Sequence, residues 1–190
     1  MVILESDGTG GFTTRAVARR AQTSTPAIYE LFGDKAGLVC AVFFEGFRGL
    51  RHRLDLLVES DDPRADLAQL METFRVFASA SPALAEVMFA RPFADFDPRT
   101  AELRAGGDVR DFIAGRVRRC VDAGVMDGDE TDIARVLMTV AQGLAEQQIA
   151  GWFGESRASV DRRWELAVSA VLDGLTCTIS GPARVSTGIR

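Results

Sequence analysis

Eight side chains between residues 14 and 35 carry the chemistry to hold an anion and to read a polar edge. Thr14, Ser24 and Thr25 supply hydroxyls, Tyr29 a phenol, Arg15 a guanidinium and Lys35 the only ammonium of any lysine in the chain, with Pro26 and Ala27 short and apolar among them. A Thr or Ala methyl can meet a thymine methyl, a hydroxyl can bond a base edge or a phosphate, and an arginine can fork onto a guanine. Tyr29 and Lys35 suit phosphate, the kind of contact that sets position rather than sequence choice. The plainer reading is a helical hairpin whose polar face is simply solvated. Spacing alone leaves both readings open.

Two short helices must position these groups, over 14–21 and 25–32, joined at Gln22-Thr23-Ser24. Val17, Ala18 and Ala21 share one face of the first, and the two alanines let a second helix approach closely. Ile28, Leu31 and Phe32 form the predicted inward face of the second. Ser24 or Thr25 is placed to cap it, and Pro26 fits its first turn. Two helices joined by three or four residues have helix-turn-helix geometry. The start of the first, with Thr14 and Arg15, is a natural phosphate site.

The remaining chain also reads as helix, over 35–58, 64–80, 83–91, 99–123, 130–153 and 160–177, broken at Asp61-Asp62-Pro63, Ser81-Pro82, Asp97-Pro98, Gly124 to Gly128, and Gly154. Stripes such as Ile133, Val136, Leu137, Val140, Leu144 recur at spacings of three and four, so each helix buries one face. The predicted fold is all-α: a three-helix helix-turn-helix head with a truncated first helix, then a C-terminal helical ligand-binding and dimerisation domain. The predicted limits are 1–47 for the head, 48–178 for the body and 179–190 for a flexible tail.

Composition narrows the function. The chain has 190 residues, 47% apolar and 26% charged, enough for a core without staples. No apolar run approaches the roughly 18–20 residues of a membrane span, and the start lacks a signal peptide's pattern. A cytoplasmic protein without a membrane partner is expected. Three separated cysteines and the single His52, inside Arg51-His52-Arg53, give no metal site and no His-based catalysis. Gly8-Thr9-Gly10-Gly11 lacks the lysine and strand of a phosphate loop. The sequence therefore calls for no enzyme, cofactor or metal. Net charge is −5, yet residues 1–53 carry seven basic and five acidic side chains. A basic end on an acidic body suits an anion-binding head.

Residues 11–39 resemble the DNA-binding region of the tetracycline-repressor (TetR) family of bacterial transcriptional regulators. The residues that carry the resemblance are Gly11-Phe12, Thr14, Val17-Ala18, Ala21, Tyr29, Phe32, Lys35 and Leu38. Two departures stand out. The family turn reads Ala-Gly-Val where this chain has Ala21-Gln22-Thr23, and glutamine adopts positive φ less readily than glycine. The family's first helix runs about four turns, whereas only Val2, Ile3 and Leu4 precede Glu5-Ser6-Asp7-Gly8. That predicts a truncated or internally assigned start and a head weakly supported on that side.

The resemblance implies a homodimeric regulator, commonly a repressor, that binds a palindromic double-stranded DNA operator and is released by a small-molecule effector. It implies an effector pocket between the middle helices, where Phe74, Phe77, Met88, Phe89, Phe93, Phe112 and Trp152 are candidate linings suited to an apolar or aromatic ligand. It also implies dimerisation through the last two helices, with Leu137, Val140, Ala141, Leu144, Trp164, Val168, Val171 and Leu172 as candidate interface residues. The alternative is a dimeric small-molecule-binding or interaction module whose DNA-binding head is impaired.

Overall fold

A computed structural model describes residues 2–90 and 100–177, with side-chain environments for 3–90 and 106–176. All regular structure among them is helical: α1 (Val2–Gly11), α2 (Thr14–Arg20), α3 (Thr25–Phe32), α4 (Lys35–Asp55), α5 (Pro63–Ala80), α6 (Pro82–Phe89), α7 (Thr100–Asp122), α8 (Glu130–Ile149) and α9 (Arg157–Cys177). The expected tail over 179–190 lies outside the described residues.

Side-chain caps set most of the starts. Thr13 Oγ1 accepts from Ala16 N–H at 3.1 Å, Ser24 Oγ from Ala27 N–H at 3.2 Å and Asp34 Oδ1 from Gly37 N–H at 2.7 Å. Asp62 and Asp129 do the same for α5 and α8. Each satisfies a backbone donor that the helix cannot pair internally. The turn between α2 and α3 holds Gln22 at φ 52°, the one non-glycine residue with positive φ among those described. The left-handed region costs an L-residue roughly 1–2 kcal/mol. Gln22→Gly should therefore raise stability by about 0.5–1 kcal/mol, the strain relieved outweighing the added unfolded-state entropy. A urea midpoint shifted upward at unchanged m-value would show it.

The head core is Leu4, Phe12, Ala18, Ile28 and Leu38, all buried. Leu31, expected inward, is instead 74% exposed. Taking Ile28 as the inward direction, Phe32 lies about 40° away on the helix and Leu31 about 60° away on the other side, where α2 does not reach. The early chain also folds further than three apolar residues suggest. Leu4 and Phe12 are buried at the two ends of α1, Gly8 breaks helical geometry between them at φ 64°, and α1 packs on α6 of the body. Thr9 Oγ1 donates to Glu86 on α6 at 3.2 Å. Tertiary support replaces the helix length that isolated stability would require.

α4 runs unbroken across residue 47, so the head and body share one rod. In the body α4, α5, α7 and α8 pack around Leu50, Leu54, Leu67, Leu70, Met71, Phe74, Ile113, Val117, Ile133 and Leu137. Gly46 on α4 lets Met88 and Leu84 of α6 come close enough that a Cβ there would meet both side chains. Cys120 is fully buried, and that burial pushes its thiol up to about 11, which makes it inert at neutral pH.

Candidate nucleic-acid interface and effector cavity

The turn after α2 presents α3 with its outer side free. Ser24 is the cap, its hydroxyl oxygen already accepting from Ala27 N–H, and Pro26 occupies the first turn of α3. Thr25 and Ala27 are half-buried, while Pro26 and Tyr29 are exposed. Thr14, at the first position of α2, lies with its hydroxyl 3.4 Å from the Tyr29 hydroxyl, which ties the two helices at their outer edge. Arg15 follows on the same exposed end, and Lys35 opens α4 just after the Gly33 turn at φ 78°. Of the eight residues singled out from sequence, Thr14 and Tyr29 are thus brought into contact. Thr14, Arg15, Ser24, Thr25, Pro26, Ala27 and Lys35 stand at the starts of α2, α3 and α4, and helix N-termini favour anions.

The second feature is a cavity of about 500 Å³ between α5, α6 and α8. Phe74, Ala78, Pro82, Phe89, Ala145 and Ile149 contribute apolar wall, and Glu86 and Gln142 contribute polar atoms. Of the expected lining, Phe74 and Phe89 are there, their rings edge to face at 5.5 Å. Phe77 and Met88 are buried in the core instead. Phe112 is turned to α4, between the guanidiniums of Arg51 at 4.7 Å and Arg116 at 5.1 Å. Trp152 follows the end of α8 in a turn around Gly151, is 77% exposed, and is not part of this cavity's wall. Phe93 lies outside the described residues. Ala145, Ile149 and Pro82 escaped sequence reading because small residues on an amphipathic face look the same whether they meet a neighbour or a void.

Of the eight expected interface residues, Leu137, Ala141, Trp164, Val168 and Leu172 are at most 5% exposed within the single chain. They have no surface left for a second copy. Val140, Leu144 and Val171 are half-buried. The outer stripe of α8 is carried by Val136, Val140 and Gly143, and that of α9 by Leu166, which is 69% exposed. For the five buried residues, the apolar face that periodicity identified is the face each helix turns to its own chain, while Val140, Leu144 and Val171 keep part of theirs exposed.

A buried ionic cluster at the α4–α5 loop was not anticipated. Asp66, on the first turn of α5, accepts from Ser60 Oγ at 2.6 Å, Ser60 N–H at 3.1 Å and Arg119 Nη1 at 2.5 Å. Arg116 Nη2 and Arg119 Nη2 each donate to a loop carbonyl, Leu57 O and Ser60 O, at 2.7 Å. Burial pushes the Asp66 carboxyl up, but the hydrogen bonds from Ser60 and Arg119 outweigh it and hold the group below its ordinary range. Glu59 completes the set, 3.4 Å from each arginine.

Together the helix-turn-helix head, the shared α4 rod and the cavity-bearing body define a two-part helical chain. Family models agree with both parts. Residues 2–42 match the bacterial regulatory proteins of the tetR family, and residues 67–171 match the tetracyclin repressor-like C-terminal domain. The chain belongs to the TetR family of DNA-binding transcriptional regulators. Among solved structures, a protein of unknown function from Rhodococcus sp. RHA1 aligns at TM-score 0.79 and 28% identity over 92% of this chain and 90% of that one. A tetR-family regulatory protein from Rhodococcus RHA1 aligns at TM-score 0.69 and 17% identity, over 90% and 91%. AibR, solved with isovaleryl coenzyme A and operator DNA, aligns at TM-score 0.62 and 14% identity, over 92% and 90%. No curated protein matches the chain by sequence. Among the described residues no helix is long and apolar enough to cross a membrane.

Proposed function

We propose that the protein is a homodimeric repressor that holds a palindromic operator through Thr14, Arg15, Ser24, Thr25, Pro26, Ala27, Tyr29 and Lys35. It lets go when an apolar or aromatic effector enters the cavity between α5, α6 and α8. The observation that carries this reading is the position of Glu86, which lines the cavity and also accepts the hydrogen bond from Thr9 of the head. α6 therefore touches the effector space on one side and both α1 and α4 on the other, the latter at Gly46. An effector that binds better when α6 is displaced shifts the heads toward a spacing wrong for successive major grooves, and its differential affinity sets the extent of release. AibR, solved with both isovaleryl coenzyme A and operator DNA, supports the reading that a fold of this kind can carry both ligands.

A second copy is required because one head meets too few bases, whereas two heads roughly 34–36 Å apart read two half-sites. The outer stripe of Val136, Val140, Gly143 and Leu166 is the surface proposed for it. Gly143 has open space where a Cβ would stand, which suits close helix approach.

Fluorescence anisotropy on duplexes from beside the protein's own gene tests the reading. If the two heads neutralise about four phosphates, affinity falls about 100-fold between 50 and 200 mM salt. A panel of apolar and aromatic compounds then identifies the effector by release of the DNA. Thr9→Val removes the head's hydrogen bond without touching the cavity wall. It should leave effector affinity for the free protein unchanged and weaken effector-driven DNA release by about fivefold, the size of one hydrogen bond to a charged acceptor at a surface. Full release in Thr9→Val would show that the signal does not pass through Glu86.

A further inference from the structure

Glu30 stands at the middle of the surface that α3 offers to DNA, and nothing above gives it a role. Residues advance about 100° each around a helix, so Pro26 and Glu30 lie about 200° from the buried Ile28 in opposite senses, only about 40° apart on the far side. Both are exposed. Tyr29, at 46% exposure, flanks them on one side and Ala27 on the other. Whatever groove receives Pro26 receives Glu30 one turn later.

A carboxylate at that place is costly against phosphates and has only acceptor oxygens to offer. In the major groove the amino donors are cytosine N4 and adenine N6. Adenine sets the N7 acceptor beside its donor, which repels a carboxylate, and guanine and thymine offer acceptors only. A negative side chain amid the positive groups of the head therefore lowers affinity for every duplex except one that places a cytosine opposite it. Contacts that penalise wrong partners create selectivity as effectively as contacts that reward the right one.

We propose that Glu30 is a specificity-determining residue of the recognition helix, accepting from the N4 amino group of one cytosine per half-site and rejecting other bases at that position. The inference rests on the operator-binding reading. The test selects randomised duplexes with the full-length wild type, E30A and E30Q, and measures each protein's affinity for the enriched sequence and for a scrambled one. The wild type is expected to enrich a palindrome with cytosine in one column of each half-site. E30A should flatten that column alone and bind scrambled DNA about three- to tenfold more tightly. E30Q should move the column toward adenine, whose N6 and N7 a glutamine can bond together. Identical preferences in wild type and E30A would overturn the inference while leaving operator binding intact. So would a folded E30A that binds no duplex, because Glu30 would then act on affinity rather than choice. A wild type that enriches nothing sinks the operator reading itself and this inference with it.

Discussion

Arg15→Ala is expected to weaken operator binding about 100- to 1,000-fold without disturbing the fold. Arg15 sits on the first turn of α2, exposed, beside the Thr14–Tyr29 hydroxyl contact that fixes α2 against α3. A bidentate arginine–guanine contact contributes about 1–3 kcal/mol of discrimination, and the proposed dimer would lose it twice. Each 1.4 kcal/mol is a factor of ten in affinity. Arg15→Lys keeps the charge and loses the fork, so it should fall between wild type and alanine while preserving the salt dependence. Anisotropy titrations of the three proteins on one duplex separate the cases. Equal affinities would move the base contact elsewhere on the head, and a thermal melt confirms that the alanine variant is folded.

Asp66→Asn should be the most damaging single substitution to stability, at about 3–4 kcal/mol. Asp66 is 6% exposed and Arg116 8%, so the carboxamide leaves a buried guanidinium with Glu59 as its remaining ion-pair partner among the described residues. Breaking a buried ion pair from one side costs about 3–5 kcal/mol because the remaining charge is stranded. For a chain of this size that lowers the melting temperature by about 10 °C. The wild type should also be acid-labile through this group. Its folded-state pKa is lowered, so its contribution is fully present above the ordinary carboxylate range and is lost as pH falls through the lowered value, below about pH 4. Urea midpoints across pH 3–7 should fall more steeply toward acid in the wild type than in Asp66→Asn, which keeps only the contribution of other carboxylates such as Glu130. The cluster also fixes the end of α4, since Arg116 and Arg119 hold the Leu57 and Ser60 carbonyls. The variant should therefore loosen the rod that connects head to body.

The head was readable because its information is local. Ser24 before Pro26, small Ala18 and Ala21, and Ile28 with Phe32 set the cap, the close approach and the inward face within one stretch of chain. Even the strain at Gln22 was legible as a residue standing where positive φ is needed, and the structure places it at 52°. Leu31 was the failure there, because at the edge of a helix face only the neighbour's position decides burial. In the body, Phe74 and Phe89 were found as cavity wall while Phe77, Met88 and Phe112 were not. All five are apolar side chains on buried faces, and no pattern separates a residue that faces a neighbour from one that faces a gap.

By itself the sequence determined that this chain is helical from end to end of its readable segments, that residues 14–35 make a helix-turn-helix, and that the family is TetR. The first two follow from caps, turn chemistry and apolar periodicity, each acting within a few residues, and the family follows from the resemblance that residues 11–39 carry. Only the tertiary structure decided that α1 leans on α6 through Thr9 and Glu86, that Asp66 gathers Ser60, Arg116 and Arg119 around the end of α4, and that Leu137, Ala141, Trp164, Val168 and Leu172 serve their own chain's core. Thr9 and Glu86 are 77 positions apart and Asp66 and Arg119 are 53, and amphipathic patterns state that a face is buried without naming what buries it.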